Sequence, residues 1–308
     1  MGRATDDYVG RILWGDAIEL TWLENSQKVG PGDGTYFVRE RNCLVDLRRL
    51  AVLTDRYTTT DPNWVLWHAY LSDVGKKRSQ NEDAVGFFMR GQPVHTFLLV
   101  VADGVGGNVA GEVASQLAVE AVNEGFFRRS DAMETGQALH EAIVAANQII
   151  CQEAAANPHQ AGMATTCTAA VIQGATLVLG HVGDCRAYLT GDGSLRQLTD
   201  DHSVAAEYAR RGAPVPPEKE VLANVLTRWL GADTDVEVDI SETIQMQEES
   251  NLVLCSDGLT KVVSPDEILH LVSLHLPGPA CQHLVKLACD RGGPDNITVQ
   301  VARLGRAA

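Results

Sequence analysis

Acidic residues stand at four places where predicted strands end, beside residues that favour turns. Asp103, Asp257 and Asp295 each lie next to an apolar run and are followed by glycine or asparagine, and Glu82 and Asp83 follow an asparagine. Glycine beside an acid lets the backbone approach a ligand closely. A single Asp-Gly pair usually marks only an Asx-turn. Four such places in one chain instead predict an acidic site where strand ends converge.

A cluster of this kind needs positive charge. Two carboxylates about 5 Å apart repel each other by about 3 kcal/mol at an effective dielectric near 20. Carboxylate, carbonyl and water ligands without Cys or His favour Mg²⁺ or Mn²⁺ over Zn²⁺. Two such ions bridged by one carboxylate suit the hydrolysis of a phosphate ester by an activated water that attacks phosphorus in line. The cluster therefore predicts phosphate-ester chemistry with two hard cations.

Arg78 lies four residues before Glu82 in the same segment. A guanidinium group can bind phosphate oxygens with two parallel hydrogen bonds. This chemistry predicts that Arg78 binds the substrate phosphate. The other interpretation is a solvated basic patch formed with Lys76 and Lys77.

Apolar periodicity predicts the elements that must bring these residues together. Strands are predicted at 65–71, 96–102, 165–173, 175–182, 185–190, 236–245, 251–255 and 296–304. Helices are predicted at 110–127, 132–156, 203–211, 265–275 and 279–290. Runs of strands followed by helix pairs indicate an α+β fold and not a doubly wound sheet.

The first 62 residues mix short β-like stretches with turn-rich segments, and 58–62 resembles a linker. We therefore predict a β-rich N-terminal extension of unknown role over 1–62 and a catalytic domain over 63–308. Two interpretations of the extension stay open: a β-hairpin added to the main domain, or a small partner-binding module.

The composition excludes several classes of protein. The chain has 308 residues, of which 45% are hydrophobic and 21% charged, as in soluble globular proteins. A net charge of -15 repels nucleic acid and anionic membranes.

Seven cysteines without a Cys-x-x-Cys pair predict reduced packing residues, and the N-terminus lacks the apolar core of a signal peptide. The 165–182 stretch is divided by Gln173 and Gly174, which favours a buried hairpin over a membrane span. We expect a cytoplasmic protein.

Seven segments together resemble the ordered motif series of bacterial type-2C (PPM family), metal-dependent Ser/Thr protein phosphatases. They are 72–84 (SDVGKKRSQNEDA), 101–112 (VADGVGGNVAGE), 162–166 (GMATT), 181–188 (HVGDCRAY), 198–203 (LTDDHS), 255–259 (CSDGL) and 292–298 (GGPDNIT). The resemblance covers about 66–304 of this sequence. It implies a four-layer αββα sandwich, in which helix pairs flank two antiparallel sheets and the metal ions lie in a cleft at one end.

The resemblance also implies a role for each matching residue of the site. Asp103 would bridge two Mn²⁺ or Mg²⁺ ions, and the Gly104 carbonyl would bind one of them. Asp257 and Asp295 would complete the direct ligands. Asp103 is thus an expected catalytic residue as well as a metal ligand.

The remaining matches imply positioning and substrate binding. Glu82 and Asp83 match acids that hold water at the metal ions, and Arg78 matches the catalytic arginine that binds phosphate. A structural role is implied for the other matches, which are Thr165, Thr166, Asn296, and Asp184 with Arg186 as a pair within the sandwich.

Two departures from the family pattern bear on proton supply and metal number. Eukaryotic members have a proton-donating His after the Asp-Gly pair and bacterial members usually have Met, whereas this chain has Val105, which donates no proton. Relatives often carry an acid just before the Gly-Met segment that contributes to a third metal ion. Residues 157–161 contain no acid, so a third ion is not expected.

We expect hydrolysis of phosphoserine and phosphothreonine in proteins by a monomeric enzyme that acts in signal transduction. Its partners would be phosphoproteins, either an autophosphorylated cognate Ser/Thr kinase or a phosphorylated anti-sigma antagonist, with no nucleic acid or membrane involved. Two alternatives stay open: a non-catalytic phosphatase-like binding module, and a hydrolase of small-molecule phosphates. The principal acids are all present, which favours the enzyme over the module.

Overall fold

The computed structural model describes residues 54–59, 64–91, 95–105, 109–216, 222 and 224–306, and also the backbone of five strands between residues 8 and 46. The strands are β1 (Tyr8–Trp14), β2 (Ala17–Ile18), β3 (Ser26–Lys28), β4 (Thr35–Val38), β5 (Cys43–Asp46), β6 (Asp55–Thr58), β7 (Trp64–Asp73), β8 (Asp83–Arg90), β9 (Thr96–Val105), β10 (Ala164–Thr165), β11 (Cys167–Gln173), β12 (Thr176–Val182), β13 (Arg186–Gly191), β14 (Ser194–Gln197), β15 (Asp239–Ile240), β16 (Ile244–Gln245), β17 (Asn251–Cys255) and β18 (Ile297–Arg306). The helices are α1 (Val109–Arg129), α2 (Thr135–Ala156), α3 (Val204–Arg210), α4 (Asp257–Thr260), α5 (Pro265–Leu274) and α6 (Pro277–Asp290), with a 3₁₀ turn at Pro158–Gln160.

Two antiparallel sheets form the centre of the molecule. The first sheet has the order β15-β12-β11-β9-β8-β1-β2, with β10 paired to β9 and β16 paired to β12. The second sheet has the order β14-β13-β17-β18-β7-β6, and β3, β4 and β5 form a small sheet of their own. Helices α1 and α2 cover the outer face of the first sheet, and α5 and α6 cover the second. The predicted α+β fold, an αββα sandwich, is confirmed.

The apolar run at 96–102 shows why the sheets lie inside the helices. In β9, Leu98 and Val100 pack under α1 and α2, whereas the alternate residues Leu99 and Val101 pack between the two sheets. All four side chains are fully buried. A strand that buries both faces has a continuous apolar sequence, because successive side chains point to opposite faces. The four layers follow from this pattern.

The segment before residue 62 contributes strands to both large sheets. β1 pairs with β8, from Leu13 opposite Val85 to Tyr8 opposite Arg90, and β6 pairs with β7. Of the linker predicted at 58–62, Thr58 belongs to β6 and the Thr59 N–H donates to the Trp64 carbonyl at 3.2 Å, so these two residues are part of the β6–β7 hairpin. Residues 60–62 lie outside the described residues, and the division at 62 stays a prediction. No helix within the described ranges is long and apolar enough to cross a membrane.

Several predicted elements differ in detail from the structure. The strand predicted at 236–245 is two short strands, β15 and β16, because three residues, 241–243, lie opposite only two of β12 and interrupt the pairing. The Ser241 N–H still donates to the Leu179 carbonyl of β12 at 3.0 Å. Strands β8 and β14 and the short helix α4 were not predicted. The other predicted strands and helices after residue 64 lie within a few residues of the observed ones.

Candidate active site

The site forms at one end of the sandwich, where β8 begins and β9 ends. Asp83 and Asp103 are directly opposite each other in the β8–β9 pair. The Asp103 backbone is held from β10 and the loop after it: its N–H donates to Thr166 Oγ1 at 2.9 Å, and its carbonyl accepts from Thr165 Oγ1 at 2.9 Å. Thr165 and Thr166 therefore position Asp103 through its main chain.

Gly104 lies where three backbone segments meet. Its N–H donates to the Glu82 carbonyl at 3.1 Å. A Cβ at this position would lie 2.2 Å from the Gly111 carbonyl oxygen and 2.6 Å from that of Glu82, distances that no side chain tolerates. Only glycine allows β9 to approach α1 and Glu82 so closely. Val105, the next residue, is 39% exposed and pairs with Ala164; glycines 106 and 107 lie outside the described residues.

Asn296 ties the loop before β8 to the start of β18. Its Oδ1 accepts from the Glu82 N–H at 2.9 Å, and its Nδ2 donates to the carbonyls of Val74 at 3.0 Å and Gln80 at 2.9 Å. The Glu82 carbonyl also accepts from Ser115 Oγ at 2.6 Å. These bonds place Glu82 beside Asp83 at the site.

Two hydroxyl groups hold one oxygen of Asp83. Ser256 Oγ donates to Asp83 Oδ2 at 2.7 Å, and Thr298 Oγ1 donates to the same oxygen at 2.6 Å. Ser256 directly precedes α4 and Thr298 lies in β18, so both belong to the second sheet and its connections. Asp83 thus joins the two sheets at the site.

Two cationic side chains hold the remaining acids. Arg78 Nε and Nη2 contact Asp295 Oδ1 and Oδ2 at 2.8 and 3.0 Å. Lys261 Nζ lies 2.6 Å from Asp257 Oδ2 and 2.8 Å from Asp295 Oδ2. Among the described residues, no group of three or more His, Cys, Asp or Glu side chains is arranged so that it could hold a metal ion. Asp257 and Asp295 instead bind these two cations.

The donor set nevertheless fits a hard cation. Three buried carboxylate oxygens, Glu82 Oε1, Asp83 Oδ1 and Asp257 Oδ1, have no hydrogen-bond partner among the described residues. An unpartnered buried carboxylate oxygen is costly, and a bound cation removes the cost. All of these donors are oxygen atoms, the ligands that Mg²⁺ and Mn²⁺ prefer.

The acids differ in their pKa values. Burial, and then the charges of Asp83 and Asp257, raise the pKa of Asp103 well above its ordinary value. Burial raises the pKa of Asp83 to about 7, although its hydroxyl partners oppose the shift. Burial also raises the pKa of Asp257. Burial alone would raise the pKa of Asp295 too, but Lys261 and Arg78 hold it below its ordinary value. Most of the site therefore disfavours negative charge until a cation arrives.

The predicted pair of Asp184 with Arg186 is wrong. Arg186 Nε and Nη2 bind Asp201 Oδ1 and Oδ2 at 2.8 and 2.7 Å. Asp184 instead lies near Asp257, and burial followed by the Asp257 charge raises its pKa to about 7. Arg186 opens β13 and faces the loop before α3, so its acid partner comes from 15 residues further along the chain.

Three residues of the site were missed in the sequence: Ser256, Lys261 and Thr298. Ser256 and Thr298 sit inside motifs that were recognised for their acids alone. Lys261 follows Asp257 by four residues, which is a side-chain contact distance only if the segment is helical. Because α4 was not predicted, this spacing carried no signal.

Comparison with known proteins identifies the family of this chain. A model of the family described as Protein phosphatase 2C matches residues 75–278. The chain is 35% identical over 251 residues to the serine/threonine protein phosphatase PstP of Mycobacterium tuberculosis, a match that covers 77% of this chain and 45% of PstP. The chain thus spans about half the length of that relative. It is also 35% identical over 243 residues to the serine/threonine phosphatase stp of Listeria welshimeri, with coverage of 75% and 92%.

A solved structure agrees with the fold and with the choice of metal. The catalytic domain of PstP, in complex with two manganese ions, superposes with a TM-score of 0.66 at 35% identity, covering 79% of this chain and 99% of that one. The family match, the shared sandwich and the acids gathered at its end lead to one conclusion: the chain belongs to the protein phosphatase 2C family.

Proposed function

We propose that this protein removes phosphate from phosphoserine and phosphothreonine in proteins, using two Mn²⁺ or Mg²⁺ ions. The observation that carries the proposal is the set of unpartnered, buried carboxylate oxygens of Glu82, Asp83 and Asp257 at one end of the sandwich. Membership of the family and the two manganese ions of the PstP catalytic domain support it.

The proposal assigns each ligand to a residue of this chain. Four groups would bind the ions directly: Asp103, as the bridge between them, the Gly104 carbonyl, Asp257 and Asp295. Two further acids, Glu82 and Asp83, would hold water beside the ions. When bound, two such ions lower the pKa of water and polarise the phosphoryl group. Residues 157–161 offer no acid for a third ion.

The proposal gives Arg78 the role of binding the substrate phosphate. Its contacts with Asp295 use two of the five N–H donors of a guanidinium group. The side chain is 48% exposed, so solvent can reach the other donors. The ion pair with Asp295 therefore fixes the plane of the guanidinium while leaving one edge for phosphate oxygens.

The test is release of phosphate from a phosphothreonine peptide, with Mn²⁺ and with chelator. Asp257→Asn should lower turnover at least about 100-fold, beyond the usual cost of losing an outer-shell partner of a metal ligand. Asp290→Asn is the matched control, because Asp290 is 58% exposed and binds only Lys286 among the described residues. Activity that survives chelator, or that only Zn²⁺ supports, would contradict the proposal.

The same assay separates the alternatives. A non-catalytic module would bind the phosphopeptide without releasing phosphate at any Mn²⁺ concentration. A small-molecule hydrolase would cleave a nucleoside monophosphate with a higher kcat/KM than the peptide. Either result would replace the proposed function.

The proposal extends to the setting of the enzyme. We propose a monomer that acts in the cytoplasm, in signal transduction, with a cognate Ser/Thr kinase among its phosphoprotein substrates. The six described cysteines are free thiols, four of them buried, which supports a reducing compartment. The names of the relatives as serine/threonine phosphatases support the phosphoprotein substrate.

A further inference from the structure

Lys261 occupies a position between two acids of the site. It directly follows α4, one helical turn after Asp257, and its Nζ reaches both Asp257 Oδ2 at 2.6 Å and Asp295 Oδ2 at 2.8 Å. These acids come from different elements, the start of α4 and the turn before β18. The Lys261 side chain is 37% exposed, so it enters the site from the rim of the cleft.

The ammonium group binds one oxygen of each of two carboxylates that the proposed function gives to metal ions, while Asp257 Oδ1 has no hydrogen-bond partner among the described residues. The Asp257 and Asp295 carboxylates would repel each other without a cation between them, and Lys261 supplies that cation in the metal-free protein. A divalent ion bound to the same carboxylates would lie close to the ammonium group, and the two positive charges would repel each other. The ammonium group and the metal ion therefore compete for these carboxylates.

We propose that Lys261 is an internal competitor for the metal site: it stabilises the metal-free protein, weakens metal binding, and leaves Asp257 and Asp295 when metal enters. This inference rests on the proposed function, since it takes Asp257 and Asp295 as metal ligands. The displacement is feasible because the four-carbon stem of lysine is flexible and its end is near solvent.

Lys286 provides a matched comparison. It pairs with Asp290 at the same four-residue spacing, on α6, but both side chains are largely exposed, at 71% and 58%. An exposed pair of this kind contributes little to stability. Replacing Lys286 therefore tests for general effects of removing a lysine that has an i,i+4 partner.

The first experiment titrates metal-free protein with Mn²⁺ by calorimetry. Lys261→Met should lower the Kd for Mn²⁺ by about tenfold, a moderate change because the pair is partly screened by solvent. It should also lower the thermal midpoint of the metal-free protein, whereas Lys286→Met should change neither quantity. Wild-type Mn²⁺ affinity in folded Lys261→Met would overturn the inference. Lys261→Gln, which keeps a polar chain without charge, serves the same purpose if the Met variant does not fold.

Two further variants separate this inference from the proposed function. Asp257→Asn and Asp295→Asn should each bind Mn²⁺ more weakly than wild type. If both bind Mn²⁺ normally, the ligand assignment fails. If both lose affinity while Lys261→Met keeps the wild-type Kd, only the role of Lys261 fails.

A measurement on the unmodified sequence gives an independent readout. Amine-reactive labelling followed by mass spectrometry should show that Mn²⁺ speeds the modification of Lys261, because its ammonium group has lost two carboxylate partners. Labelling of Lys286 should not respond to Mn²⁺ and serves as the internal reference. A Lys261 labelling rate that is the same with and without saturating Mn²⁺ would contradict displacement.

Discussion

The acids of the site form two halves that are held by different chemistry. In the β8–β9 half, which comprises Asp83 and Asp103, the partners are neutral hydroxyls: two donate to the Asp83 carboxylate, and those of Thr165 and Thr166 bond to the Asp103 main chain. In the α4–β18 half, which comprises Asp257 and Asp295, a guanidinium and an ammonium group bind the carboxylates directly. One half thus lacks positive charge and the other already contains it.

This difference indicates what each half contributes to metal binding. A cation that reaches the β8–β9 half relieves the cost of burial and the repulsion between carboxylates, which the hydroxyl partners of Asp83 offset only in part, so binding there is favoured. In the α4–β18 half the same cation must replace existing ion pairs. Metal affinity should therefore come mainly from the first half, and its adjustment from the second.

The largest effect is expected from a substitution in the β8–β9 half. Asp103→Asn should lower kcat at least about 100-fold, because it removes the proposed bridge between the ions. In chelator the same change should raise the thermal midpoint, since it removes an acid whose ionisation the folded protein disfavours. Turnover assays and thermal unfolding measure the two outcomes. Asp131→Asn, at an exposed acid paired with Arg90, is the control; near-normal turnover in Asp103→Asn would refute the bridging role.

A second prediction sharpens the comparison through pH. The pKa of Asp83 is about 7 in the folded protein and 3.8 as its ordinary value. The folded protein keeps the Asp83 proton up to a higher pH than the unfolded chain does, so the folded state loses stability as pH rises between these two values. Relative to Asp83→Asn, the free energy of unfolding of the metal-free wild type should fall by on the order of 3 kcal/mol between pH 4 and pH 7.5. Urea unfolding in chelator measures this difference.

In the same experiment, Asp295→Asn should reveal the opposite pH dependence of the free energy of unfolding. The pKa of Asp295 is held below its ordinary value, so its contribution to stability is present above the ordinary pKa and is lost as pH falls through the lowered one. Relative to Asp295→Asn, the metal-free wild type should therefore gain stability as pH rises from the acid range. If both acids gave the same sign, the distinction between the halves would be wrong.

The smallest expected effect concerns substrate binding in the α4–β18 half. Arg78→Ala should raise KM for phosphopeptides by about tenfold, the usual cost of one hydrogen bond to a charged group, with a smaller change in kcat. Arg78→Lys should restore part of the loss, because lysine keeps the charge but not the planar fork. Steady-state kinetics of the three proteins provide the test. A fall in kcat at unchanged KM would show that Arg78 acts only in the transition state.

The sequence predicted the layers and the acids of the site, because both leave a local pattern. The apolar run of β9 is continuous, and each acid stands beside a strand end. β8 was missed because Gly86 interrupts its apolar residues, and glycine usually weakens a strand. In the structure a Cβ on Gly86 would lie 2.6 Å from the Val119 side chain of α1, so the glycine marks close packing of the helix on the sheet.

The partners of the acids were not predictable to the same degree. Arg186 and Asp184 are close in sequence, yet Arg186 binds Asp201. The direction of the Arg186 side chain from its strand, and the path of the loop before α3, decide which carboxylate it contacts. The contacts of Lys261 depend on a four-residue helix, which is too short to show a periodic pattern. Local spacing thus predicts which residues gather, and only tertiary packing decides which of them pair.

The hydroxyl partners of Asp83 also bear on the order of folding. Ser256 and Thr298 lie 173 and 215 residues further along the chain. Contacts between such distant segments form late, because the entropy of closing the intervening loops must first be overcome. We therefore expect Asp83 to gain its final surroundings only when β18 joins the second sheet. During synthesis, a chain that has not yet reached Thr298 would carry most of the acids but no assembled centre, so metal loading would follow folding instead of nucleating it.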